Sequence, residues 1–236
     1  MRIIAGSAGG RPLKAPPEGL RPTMDRVRAA IFSSLGDLVP NATVLDLFAG
    51  SGGMGIEALS RGASKAVFAD NNERCVRCIR ENLRMAGVEG SVQTVDAYRF
   101  IDLYAEPSSF DLIFADPPYS KKEGDTDHST ALMTSPKLAA ALKPGGVFVL
   151  EKNSESKIPA ESVFELVKSR RYGGSEIIYN PLDFYPVARR AMRLIRPRVL
   201  VLVEAEVWPN CVCEARKMGC PVVLVNARLS RRSEAR

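Results

Sequence analysis

Histidine and tryptophan occur once each among the 236 residues, cysteine occurs five times, and no apolar run approaches membrane-spanning length. Each shortage removes a class of chemistry. His128 stands alone between acidic and hydroxyl residues, a poor setting for a catalytic base. Cys75 and Cys78 have C-x-x-C spacing but fall inside a helical pattern (Glu73 to Met85). No second pair lies at zinc-finger distance, and Cys211, Cys213 and Cys220 lie far away without a histidine. The cysteines therefore read as reduced structural thiols, and no metal site is expected. The longest apolar runs, such as Val199 to Val203, are strand-sized, far below the about 20 residues of a spanning helix. With no charged-then-apolar leader at the amino terminus, the chain is expected to be cytoplasmic and to need no membrane.

Acidic and basic residues are almost balanced. Lysine and arginine total 33 against 27 aspartates and glutamates, a net charge of +6. Residues 1–180 carry 22 of each sign, whereas residues 181–236 carry 11 basic against 5 acidic, so the whole excess lies in the tail. Within residues 1–36 the charge is uneven: Arg2, Arg11, Lys14, Arg21, Arg26 and Arg28 face only Glu18 and Asp25. These six are the candidates for RNA phosphate contact. A solvated basic arm without a partner is the alternative.

What the chain does have is alternation. Residues 1–22, rich in Gly, Pro and Arg, read as an extended or hairpin-like arm. Thr23 or Asp25 can cap a helix to about Leu35, whose Val27, Ala30, Ile31 and Leu35 share one face. Strands are expected at Thr43–Phe48, Lys65–Ala69, Val92–Val95, Phe110–Ala115, Val147–Glu151 and Ser175–Tyr179. Helices are expected at Ile56–Arg61, Glu73–Met85, Leu132–Leu142 and Val163–Arg171, with a tight glycine turn at Gly50–Gly55. Such alternation predicts an α/β fold, a doubly wound, mostly parallel sheet with helices on both faces. Ligands bind such sheets at the carboxyl ends of the strands, near the switch in strand order.

Asp46, the glycine turn, Asp70, Asp96 and Asp116 all fall at such ends. Gly50-Ser51-Gly52-Gly53-Met54-Gly55 satisfies G-x-G-x-x-G, with Asp70 twenty residues after Gly50. That alone would equally suit a dinucleotide. Asp46 separates the two readings: its carboxylate would repel a pyrophosphate but attract the ammonium and sulfonium of S-adenosylmethionine. Asp70 is placed for ribose hydroxyls and Asp96 for the adenine amino group. Phe48, Ala49, Gly50, Ser51, Gly52, Asn71 and Ala97 complete the candidate cofactor set. Taken singly, Asp46 and Asp96 could be mere loop caps.

Asp116-Pro117-Pro118-Tyr119 follows the buried run Phe110–Ala115. Two prolines cannot donate to a strand ladder, so the sheet must stop there. A base amino group is a poor nucleophile because its lone pair is delocalised into the ring. Acceptors at both N–H bonds, Asp116 and a backbone carbonyl, favour a more tetrahedral nitrogen with its lone pair aimed at a methyl donor. Tyr119 would stack on the base, worth about 1–3 kcal/mol on other base–aromatic platforms. By itself the motif fits guanine N2 or adenine N6.

Residues 1–180 resemble the bacterial small-subunit ribosomal RNA guanine-N2 methyltransferases, the small-subunit rRNA methyltransferase D family. The residues that carry the likeness are Arg2-Ile3-Ile4-Ala5-Gly6, Gly10-Arg11, Arg21 to Arg28, Leu45 to Gly52, Glu57 to Ala63 and Asp116 to Tyr119. The resemblance implies a seven-stranded, Rossmann-like class I fold with S-adenosylmethionine as cofactor. It also implies one guanine N2 in 16S rRNA, free or in the small ribosomal subunit, as target, and a monomeric enzyme. On this reading residues 1–36 are arm and first helix, and 37–180 the methyltransferase core. Residues 181–236 form a separate extension, a partial β-α-β unit too small to cover its own strands. Arg196 to Asn210 and Pro221 to Ser230 resemble a fragment of a 3-deoxy-D-manno-octulosonic acid (Kdo) transferase. No transferase activity is expected of so short a piece. The rival readings are an adenine-N6 methyltransferase, a noncatalytic RNA-binding protein, and, from the tail alone, a glycosyltransferase.

Overall fold

Apolar central strands, flanked by more polar ones toward the edges, build the sheet. They are β1 (Thr43–Leu47), β2 (Lys65–Asp70), β3 (Ser91–Thr94), β4 (Phe110–Ala115), β5 (Leu142–Asn153), β6 (Lys168–Tyr172) and β7 (Ser175–Asn180). The structure, a computed structural model, describes residues 1–15, 24–118, 126–156, 158–164, 168–172, 175–180, 200–203, 215–218 and 220–225. The strands lie in the order β3-β2-β1-β4-β5-β7-β6. The first five are mutually parallel, and β7 runs antiparallel to both β5 and β6. From β1 the chain proceeds outward through β2 and β3, then returns to place β4 on the other side of β1. The crevice for a ligand therefore opens beyond the carboxyl ends of β1 and β4.

Helices cover both faces, as parallel strands require. They are α1 (Asp25–Leu35), α2 (Gly53–Ser60), α3 (Glu73–Ala86), α4 (Ala97–Leu103), α5 (His128–Met133) and α6 (Pro136–Ala141). Leu45, Leu47, Ile113, Ala115, Phe148 and Leu150 pack on one face against Phe100, Ile101, Leu132 and Leu138 of α4, α5 and α6. On the other face Phe32 of α1 meets Phe114 of β4, ring centroids 5.6 Å apart. There α2 lies so close that a Cβ on Gly55 would stand 2.3 Å from the Phe68 ring. α3 is stopped by Gly87 in the left-handed region, and Asn72 caps its start by accepting from the Arg74 N–H at 2.9 Å.

Several sequence expectations are corrected. The helix expected from Val163 is not formed over 168–171. Those residues lie in β6, where pairing with β7 supplies the backbone partners that a helix would have supplied. The helix expected over Leu132–Leu142 is two helices, because Pro136 cannot donate an N–H and Ser135 caps the second by accepting from Leu138 at 3.2 Å. Asp25 is the first residue of α1 rather than its cap, and Thr23 lies outside the described residues. α2 begins within the expected glycine turn, at Gly53. α4 lay in no expected helix.

The arm is a hairpin. Arg2 and Pro12 form an antiparallel bridge, and the Ile3 N–H donates to the Arg11 carbonyl at 3.0 Å. It docks on α2 through polar contacts. Ile4 and Ala5 N–H groups donate to the two Glu57 carboxylate oxygens at 2.8 and 3.1 Å, and Ser60 Oγ donates to the Ala5 carbonyl at 2.6 Å. Gly6, at φ +87°, passes so near that a Cβ would stand 1.8 Å from the Ser60 carbonyl oxygen.

The chain divides into two units, Met1–Pro181 and Leu182–Arg236. In the second, β8 (Leu200–Val203) and β9 (Val222–Val225) pair in parallel, and residues 215–217 are helical.

Candidate functional site

β1 carries Asp46 to the crevice, where the side chain is only 4% exposed and Oδ2 accepts from the Gly55 N–H at 2.9 Å. Burial pushes its carboxyl up to about 8; the Gly55 N–H opposes this, and the charges of Asp116 and Asp70 add to it. Beyond Leu47 the chain doubles back through three residues of positive φ: Phe48 at 55°, Gly50 at 56° and Gly52 at 75°. The Gly52 N–H closes the turn on the Ala49 carbonyl at 2.6 Å. Among the described residues a Cβ on Gly50 would meet the Phe48 carbonyl oxygen alone, at 3.9 Å, so they leave space open over the turn. Ala49 and Ser51 are buried beneath it.

Asp70 ends β2 and accepts from the Gly50 N–H through Oδ2 at 2.8 Å and from the Asn72 N–H through Oδ1 at 2.9 Å. It shapes the turn, and the Cys75 thiol is a further hydrogen-bonding neighbour of its carboxylate. Asn71 beside it is exposed. Asp96 is a cap, accepting through Oδ1 from Tyr98 and Arg99 N–H groups at 2.9 and 3.2 Å; the cap engages only that oxygen. Ala97 turns its methyl into the apolar core.

Asp116 is half-buried, Pro117 buried and Pro118 exposed; Tyr119 lies outside the described residues. Leu47 and Ala115 are partners in the parallel register of β1 and β4, so Asp116 emerges next to the turn that begins at Phe48. The structure thus brings Asp46, the glycine turn, Asp70 and Asp116 together at one edge. The buried Asp46 carboxyl offers charge complementarity to a cationic ligand, and the space over Gly50 is a cradle that a side chain would fill. The donors and acceptors present fit S-adenosylmethionine.

Sequence reasoning missed an aromatic cluster. Phe48 meets His128 at 5.6 Å and Tyr98 at 6.2 Å between ring centroids, and the Tyr98 hydroxyl lies 2.8 Å from His128 Nδ1. Burial pushes the Tyr98 hydroxyl up to about 12, with the charges of Asp96 and Asp127 adding. The lone histidine is a packing and hydrogen-bonding partner in this cluster. The Cys75 thiol is fully buried, and burial together with neighbouring Asp70 raises it to about 11, the opposite of activation.

The basic arm needs a correction. Arg28 is fully buried, donating to the Arg2 carbonyl and to Asp25 Oδ1 at 2.9 Å, with Nε 3.6 Å from buried Glu57. It cannot reach a phosphate, because the hairpin folds over it. Arg11 is exposed yet donates to the Ala86 carbonyl at 2.5 Å, and Lys14 pairs with Glu81. Arg2 and Arg26 are exposed, and Arg21 lies outside the described residues. Overlooked instead were Arg77, Arg80 and Arg84, all exposed on α3 at spacings of three and four, hence one stripe. Asn82 was overlooked too. Fully buried, its Nδ2 donates to the Ser51 and Lys14 carbonyls at 2.9 and 3.1 Å, and its Oδ1 accepts from the Lys14 N–H at 2.8 Å. Its signal was a polar residue on the stripe Cys75, Ile79, Leu83 and Ala86.

Among the described residues no helix is long and apolar enough to cross a membrane, and no cluster of three His, Cys, Asp or Glu could hold a metal. Residues 1–180 match the profile of the family described as conserved hypothetical protein 95. Residues 160–236 match that of 3-deoxy-D-manno-octulosonic-acid transferase (kdotransferase). A Bacillus subtilis protein assigned as an rRNA methyltransferase, YlbH, is 37% identical over 175 residues, 72% of this chain and 92% of that protein. The ribosomal RNA small subunit methyltransferase D of Haemophilus influenzae is 30% identical over 177 residues, 73% of this chain and 89% of that one. The solved structure of yhhF from Escherichia coli, described as a methyltransferase, gives a TM-score of 0.61 at 28% identity over 76% of this chain and 96% of its own. Residues 1–180 have the Rossmann-like fold of class I S-adenosylmethionine-dependent methyltransferases.

Proposed function

The chain belongs to the conserved hypothetical protein 95 family, and from that premise we propose that it uses S-adenosylmethionine to methylate the exocyclic N2 of a guanine in 16S rRNA. The observation that carries this reading is the juxtaposition of half-buried Asp116, ahead of two prolines, with buried Asp46 and the open glycine turn. When bound, S-adenosylmethionine supplies a methyl group made electrophilic by its sulfonium. Asp46 balances the cofactor's positive charge, the Gly50 turn admits it closely, and Asp70 and Asp96 accept from its hydroxyls and amino group, with Asn71 alongside. Asp116 and a neighbouring carbonyl would hold the two N–H bonds of the base amine, leaving the lone pair to form the new N–C bond as the methyl–sulfur bond breaks and its electron pair stays on sulfur. The nitrogen's surplus proton passes to Asp116 or to water beside it. Pro117 and Pro118 keep that backbone rigid, and Tyr119 supplies the stacking surface. Alignment of two bound reactants provides much of the acceleration.

Arg2, Arg11, Lys14 and Arg26, joined by Arg77, Arg80 and Arg84, make the phosphate-facing surface for the rRNA or the small ribosomal subunit. The enzyme acts as a monomer in the cytoplasm. Residues 181–236 take no part in the proposed methyl transfer.

The test is labelled-methyl transfer to small subunits and to naked 16S rRNA, wild type beside Asp116→Ala, with cofactor binding measured separately. Transfer by wild type alone, with cofactor bound by both, is the expected result. No transfer by wild type to either substrate, cofactor being bound, would remove the enzyme assignment.

A further inference from the structure

β5 offers a carboxylate that no part of the chemistry above uses. Ala115 of β4 and Leu150 of β5 are partners in a parallel register, and both side chains enter the core under α4, α5 and α6. Continuing that register by one residue sets Asp116 beside Glu151. Adjacent strands lie about 5 Å apart, and successive side chains alternate between faces. Asp116 and Glu151 therefore turn to the same side of the sheet, the side that Asp46 occupies through its register with Phe114. The charge of Asp116 is felt at Asp46, in keeping with that placement.

The backbone at Glu151 is fixed. Glu151 pairs with Ile177 of β7, and the side chain is half-buried. The next residue, Lys152, is 1% exposed and pairs with Glu176 at 2.8 Å, while its Nζ donates to the Asn153 and Ser156 carbonyls at 3.0 and 2.5 Å. A buried ion pair contributes little net stability. What it does here is lock the end of β5 and the turn behind it, and so the height at which Glu151 stands.

We infer that Glu151 reads the Watson–Crick edge of the target base, accepting from guanine N1–H while Asp116 holds the N2 amine. This rests on the proposed guanine methylation and deepens it. Guanine presents two adjacent donors on that edge, N1–H and N2–H. Adenine presents a bare N1 lone pair next to its amine, which a carboxylate repels. Two carboxylates side by side at the end of β4 and β5 match the guanine pattern and oppose the adenine one. Glu151 is thus a specificity-determining residue. A carboxylate that meets a donor on guanine meets a bare lone pair on an analogue without N1–H, and that repulsion discriminates between the two.

The experiment replaces the target guanine, once mapped on the rRNA, by 2,6-diaminopurine, which keeps the N2 amine but has no N1–H. Initial rates are compared for the wild type, Glu151→Gln and Glu151→Asp on both substrates. The wild type is expected to favour guanine at least tenfold. Glu151→Gln, whose amide can donate to a bare N1, is expected to lose or invert that preference. Glu151→Asp, shorter but still an acceptor, is expected to be slower while still favouring guanine. Cofactor binding and thermal unfolding of each variant show whether it is folded, and Glu151→Asp carries the comparison if the amide variant is not. In that case a Glu151→Asp protein with both the rate on guanine and the preference ratio of the wild type would overturn the inference. An unchanged preference ratio in a folded Glu151→Gln, with wild type methylating guanine, overturns it and leaves the proposed function intact. Failure of the wild type to methylate guanine at all overturns both.

Discussion

Asn82 donates from Nδ2 to the Ser51 carbonyl at 2.9 Å, tying the middle of α3 to the glycine turn. The same amide holds Lys14 of the arm, Oδ1 accepting from its N–H and Nδ2 donating to its carbonyl, so one buried residue joins cofactor turn and arm. Asn82→Ala would leave the Lys14 N–H and the Ser51 carbonyl without these partners, at a cost of about 1–3 kcal/mol each if water stays excluded. The expected outcome is a lower melting temperature and cofactor affinity weakened about tenfold, equivalent to about 1.4 kcal/mol. Calorimetric titration and thermal unfolding check both.

Arg28 and Glu57 are 0% and 1% exposed, so truncating either leaves a buried charge with fewer partners. Glu57→Ala also deprives the Ile4 and Ala5 N–H groups and Arg61 of their acceptor. Each variant should lose about 3–5 kcal/mol in urea unfolding. Arg26→Ala, on the exposed side of α1, should stay within about 0.5 kcal/mol of wild type and lower RNA affinity instead. Equal effects from Arg26 and Arg28 would contradict the division between docking and RNA contact.

Asp46, with its carboxyl at about 8, makes cofactor binding pH-dependent. Below that pH the ligand-free site holds a proton that a cationic ligand must displace. Affinity should therefore rise with pH by up to about tenfold per unit as pH approaches 8, then level off. In the ligand-free protein the sign is opposite for stability. The folded state keeps a proton that the unfolded chain loses above 3.8, so stability falls as pH rises from 3.8 to about 8. Asp46→Asn should flatten both dependences and bind more weakly at pH 8. The slope difference between wild type and Asp46→Asn isolates this group from titration of the ligand itself.

Arg77, Arg80 and Arg84 changed together to alanine should weaken binding to RNA of any sequence, and the slope of log affinity against log salt should shrink by about one per arginine. Methylation at saturating RNA should persist. Removal of residues 182–236, a separate unit, should likewise leave methyl transfer intact; a soluble truncation without activity would give the tail a role.

The strands and the crevice were legible because two-sided burial writes continuous apolar runs, as in Leu112–Ala115 and Val147–Leu150, and because acidic residues stand at or directly after the strand ends. β6 was not legible, since Lys168-Ser169-Arg170-Arg171-Tyr172 has no apolar alternation and its strand state comes from pairing with β7. The break at Pro136 was written in the sequence, and only the apolar spacing on either side hid it. Arg28 was misread because charge alone does not reveal burial: only the folded hairpin shows Glu57 waiting beneath it. Asn82 and Glu151 share that difficulty. Their partners come from distant segments, so register and packing define what they do.

The most direct measurement of the central claim is the identity of the methylated nucleoside. Small subunits reacted with the wild-type protein and S-adenosylmethionine are digested to nucleosides and analysed by mass spectrometry, beside a reaction with Asp116→Ala. The expected product is N2-methylguanosine at about one added equivalent per subunit, absent with Asp116→Ala. N6-methyladenosine, or N2-methylguanosine formed equally by the Asp116→Ala protein, would contradict the account.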